Sequence, residues 1–67
     1  MKLLKDLINV YKELLRLGER ARSIDEKVYL RIEEAAERVG DALTVLRMRG
    51  KLDPEEKEEI EKVMSSL

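Results

Sequence analysis

The sequence predicts an all-α fold: a three-helix bundle of up-down-up order, with a long central helix and a short third one. Three observations carry this expectation. Alanine, glutamate, lysine, leucine and arginine supply 40 of the 67 residues, a composition typical of helical chains. Apolar residues recur at three- and four-residue spacing in three separate segments. Glycines divide those segments, and the second and third open on cap-forming residues. One domain over residues 1–67 is the most that this length supports.

The first helix is expected over residues 2–17. On a helical wheel Leu3, Leu4, Leu7, Ile8, Val10, Tyr11, Leu14, Leu15 and Leu17 share one half of the cylinder, and the polar residues share the other. That half-cylinder is wider than a two-stranded coiled-coil seam, so the helix should touch at least two neighbours. Gly18 offers a left-handed stop. Ala21 lies in phase with the apolar face, which leaves a run through to Arg22 as the alternative.

The second helix is expected over residues 24–49, opened by a capping box in which Ser23 and Glu26 satisfy each other's end of the first turn. Its apolar stripe runs from Ile24 to Leu46 and narrows to Ala35, Ala36, Gly40 and Ala42. A glycine inside a helix costs about 1 kcal/mol against alanine. Gly40 therefore points to a close helix crossing. Gly50 is the expected C-cap. The third helix is expected over residues 54–66, with Asp53 as N-cap, Pro54 in the first turn and Glu56 closing a capping box. Ile60, Val63, Met64 and Leu67 form its narrow stripe.

Several function classes lose their usual means. There is no histidine or cysteine, so the common zinc, haem and thiol chemistries lack their ligands and nucleophiles. Glu33 with Glu37, and Glu55 with Glu59, are spaced one turn apart, but they lack the histidines of a di-iron bundle and read as solvated faces. Ser23, Thr44, Ser65 and Ser66 have no partner base that titrates near neutrality by type. No enzyme, metal, cofactor or small-molecule substrate is expected. A net charge of −1 and the absence of tryptophan and phenylalanine argue against nucleic acid. No membrane association or targeting segment is expected either, because Met1-Lys2-Leu3-Leu4 is followed at once by Lys5 and Asp6. That is compatible with a cytoplasmic or recombinant protein.

Charge is segregated along the chain: residues 1–22 carry +3, residues 23–49 carry −1 and residues 50–67 carry −3. Leu30, Val45 and Met48 fall off the main stripe of the second helix and are the candidate protein interface. The expected partner is a second copy, in a homodimer, or another protein. The second helix should overhang the first, leaving Leu30 or Met48 bare, and a paired chain would cover the overhang.

The stretch Arg38-Val39-Gly40-Asp41-Ala42-Leu43 resembles the Gly-Asp-bearing helix of the apoptotic regulator family, with Ala36 where that family carries its leucine anchor. As a whole the chain resembles a de novo designed small helical bundle, with its Glu-Lys-Leu-Arg-Ala economy and the helix start Asp53-Pro54-Glu55-Glu56. Glu and Lys enrichment is also expected of thermophile proteins. The resemblance implies a non-catalytic scaffold or self-associating miniprotein, or else a binding module that presents a helix face to a protein target.

Overall fold

In the computed structural model, which describes residues 1–65, three helices carry almost all of the chain: α1 (Lys2–Arg22), α2 (Glu26–Arg49) and α3 (Pro54–Ser65). The fold is all-α, and among the described residues there is no strand. Ser66 and Leu67, the expected end of the third helix and of its stripe, lie outside the described residues.

Two helix boundaries differ from expectation. α1 does not stop at Gly18 but continues to Arg22, with Ser23 as its C-cap. The continuation buries Ala21 and sets Arg20 and Arg22 at the negative end of the helix dipole. Gly18 itself is buried, against Ile32 and Glu33 of α2. With Ser23 used at the end of α1, the N-cap of α2 falls to Asp25. Its carboxylate accepts from the backbone N–H groups of Lys27 (2.9 Å) and Val28 (3.1 Å). The expected Ser23–Glu26 box is therefore replaced by a single-residue cap, and Ile24 is left 83% exposed in the connection.

The other boundaries follow the local chemistry. Gly50 ends α2 with extended backbone, not a left-handed cap, and its N–H donates to the Leu46 carbonyl. The capping box of α3 is reciprocal: Glu56 N–H donates to Asp53 Oδ1 (2.9 Å) and Asp53 N–H donates to Glu56 Oε1 (3.2 Å). Two early N–H groups are thereby satisfied without tertiary help.

The core draws Leu4, Ile8 and Tyr11 from α1, Ala36 and Leu43 from α2, Ile60 and Val63 from α3, and Leu52 from the last connection. Each fully buried leucine or isoleucine contributes roughly 1.5–3 kcal/mol relative to exposure. α1 packs chiefly on α2, and the shorter α3 touches both. Gly40 sits where they converge. A carbon at its Cβ position would lie 3.2 Å from Tyr11 Cε1 and 3.3 Å from Met64 Cε. The first turn of α3 meets the start of the chain, where the Met1 amino group lies 3.1 Å from Glu56 Oε2. Arg47 of α2 pairs with Glu61 of α3.

With 21 and 24 residues, α1 and α2 are close in length, about 32 and 36 Å at the helical rise. The large overhang expected of the second helix is absent, because α1 gained a turn at its end and α2 lost two residues at its start.

Candidate functional site

Chemically reactive groups are few and are engaged locally. Thr44 Oγ1 donates to the Gly40 carbonyl and Ser65 Oγ to the Lys62 carbonyl, both within their own helices. Among the described residues no cluster of three carboxylates has metal-binding geometry, and no buried polar side-chain atom lacks a hydrogen bond. Three titrations are displaced in ways that bear on structure. Burial of the Tyr11 ring, seconded by the Glu33 carboxylate, pushes its hydroxyl up from the ordinary value. The hydrogen bond from Arg16 pulls Glu13 down. The Asp53 N–H, with the terminal amine, pulls Glu56 down.

The more informative feature is apolar surface. α1 has two apolar flanks. Leu4, Ile8, Tyr11 and Leu15 turn toward the α3 side and are covered to a large extent. Leu3, Val10 and Leu17 repeat every seven residues on the other flank, with Leu7 and Leu14 between them. There Leu3 is 56% and Val10 48% exposed, although the periodicity alone counts both as core. α2 shows the same asymmetry. Ala36, Gly40 and Leu43 are buried, whereas Val28 and Ala42 are exposed and Ala35, Val39 and Leu46 are half-buried. Leu3 and Leu7 meet Ala42, Val45 and Leu46 across an open groove of about 420 Å³. The face of α1 and α2 away from α3 is thus a continuous apolar strip with no helix laid on it.

The three residues expected at an interface all lie on α2 but do not share one groove. Val45 lines the open groove. Leu30 lines a separate cleft of about 430 Å³ beyond the end of α3, with Tyr11, Leu15 and Met64 on its apolar wall and Glu33 and Glu37 on its rim. Met48, 76% exposed, borders neither. Their exposure follows from their angular position on α2, since the helix does not overhang its neighbour. Leu3, Val10, Val28 and Ala42 were not separable from the core by spacing. The signal available for them was the third helix, whose few apolar residues suffice to cover one flank of the pair.

The stretch that resembles the apoptotic regulator helix is committed internally, since Gly40 lies beneath Tyr11 and Met64 and Leu43 is fully buried. No described helix is long and apolar enough to cross a membrane. Comparison with protein-family models, with curated proteins and with solved structures returned no match.

Proposed function

We propose that this chain is a non-catalytic helical scaffold of designed origin, an up-down-up bundle that self-associates through the open face of α1 and α2. One observation carries the reading: the face away from α3 keeps Leu3, Val10 and Val28 about half exposed in a continuous strip. A contiguous apolar surface of this kind marks an association site more often than a bare exterior. The up-down-up order is supported by contacts at successive heights. Gly18 faces Ile32, Tyr11 faces Gly40, and Leu3 shares a groove with Arg49. The start of α3 then lies by Met1 and its end by Gly40. Designed origin is supported by the residue economy and the capping box of α3.

A second reading is a module that presents a helix face to another protein. Met48 favours it, because a large exposed side chain outside both grooves serves neither the core nor the open face. Light scattering over a concentration series tests the first reading. Self-association gives a mass approaching twice the 7.8 kDa of the chain. A constant 7.8 kDa at millimolar concentration overturns it.

A further inference from the structure

We infer that the open face receives a second copy of the chain about a two-fold axis parallel to the helices, so that α1 of each protomer lies over α2 of the other. The inference rests on the self-association reading and adds the arrangement. Size comes first. The molecule measures 40 × 19 × 16 Å, so a long face covers about 640–760 Å². A stable interface needs about 600–1,000 Å² per partner, so pairing must use most of the face.

Shape selects between the two symmetric ways of doing so. The α1 half of the strip is large, with Leu3, Val10 and Leu17 outermost. The α2 half is small in the middle, where Ala35 and Ala42 lie between Val28 and Leu46. Laying α1 on the partner's α1 would set bulky residues against bulky residues and leave alanine against alanine. Laying α1 on the partner's α2 sets leucine and valine over alanine, the alternation that close packing requires.

Charge selects the same arrangement. Asp6 and Glu13 follow the outer edge of the α1 strip, three residues on from Leu3 and Val10. Arg31, Arg38 and Arg49 follow the outer edge of the α2 strip; Glu34 beside that edge pairs with Arg31, and Asp41 flanks Arg38. A two-fold axis along the helices preserves height, and Tyr11 lies level with Gly40. Glu13, which also accepts from Arg16 of its own helix, therefore falls opposite the partner's Arg38, and Asp6 just over a turn from the partner's Arg49, twice per dimer. Arg38 and Arg49 make no ion pair within the described chain. The ends are less matched, since Arg20 comes level with Arg31 and Lys2 with Arg49; these long side chains can turn outward to water. The alternative arrangement would set arginine edge against arginine edge along the whole of α2.

The chain contains no cysteine, which makes a cross-linking test direct. Glu13 and Arg38 are both exposed, so E13C and R38C should keep the parent's circular dichroism. Each chain is made separately, and a short bismaleimide is applied to each alone and to their mixture. The arrangement predicts covalent dimer in the mixture at least about tenfold faster than in either chain alone. A parent of dimeric mass whose mixture shows no such advantage overturns the arrangement and leaves self-association standing. A parent that stays at the monomer mass overturns both.

Discussion

Two glycines lie inside helices, and their neighbours give them opposite consequences. At Gly18 a β-carbon would come within 2.8 Å of Glu33 Oε1, the far end of a flexible side chain, and 3.6 Å from Ile32 Cγ2. The carboxylate can swing away, so Gly18→Ala should recover most of the helix-propensity difference of about 1 kcal/mol and raise the thermal midpoint. At Gly40 the ring of Tyr11 and the methyl of Met64 close the space. Gly40→Leu should cost about 1–3 kcal/mol by overpacking. Chemical denaturation of the two variants beside the parent checks both signs, and a Gly40→Leu chain as stable as the parent would show that the crossing tolerates bulk. The Gly40 crossing was legible because alanines surround it at helical spacing. The conformation of Gly18 was not. The residue that permits a left-handed stop also permits a helix, and the choice was made by contact with Ile32, far away in sequence.

At the scale of the elements, ends were harder to read than faces. Ser23 and Asp25 are both good N-caps by type, and only the extension of α1 through Arg22 decides between them. Asp25→Ala should therefore cost about 0.5–2 kcal/mol, while Ser23→Ala should change stability by less than about 0.5 kcal/mol; thermal melts of the two variants separate them. The α3 cap was fully legible, since Asp53, Pro54 and Glu56 satisfy one another locally, and it carries a pH dependence. The Asp53 N–H and the terminal amine hold the Glu56 carboxyl below its ordinary value in the folded chain. Its stabilisation is complete above the unfolded-state value and is lost as pH falls through the lowered one. Glu56→Gln should flatten the acid limb of stability against pH, seen in melts between neutrality and about pH 3. An unchanged acid limb would assign that limb to other carboxylates, such as Glu13.

For the whole molecule the decisive quantity is how much apolar surface three unequal helices can hide. The half-cylinder of α1 was legible, and so was the narrowness of α3. Which flank α3 would choose was not, because Leu3 and Val10 follow the same spacing as Leu4 and Tyr11. The structure separates them, leaving Leu3 and Val10 on an open strip from which Leu30 and Met48 stand apart. Val10→Glu places a charge in the middle of that strip and should return the solution mass to that of a single chain. The double change Leu30→Glu plus Met48→Glu should leave the assembled mass intact. Sedimentation velocity on the two variants discriminates, and the reverse pattern would place the contact on the far side of α2.

The convergence of Tyr11 and Met64 over Gly40 has a spectroscopic consequence. The chain has no tryptophan and two tyrosines, so its ultraviolet emission is phenolic throughout. Tyr11 is 2% exposed and shares its contact point with the thioether at the end of α3, whereas Tyr29 lies outside the buried core, with the Arg22 guanidinium 5.8 Å from its ring centroid. A Tyr29→Leu chain would leave a single emitter at the meeting point of all three helices. Its lifetime and near-ultraviolet dichroism would then report the docking of α3 without any added dye, and would register its release before the pairing of α1 with α2 is lost.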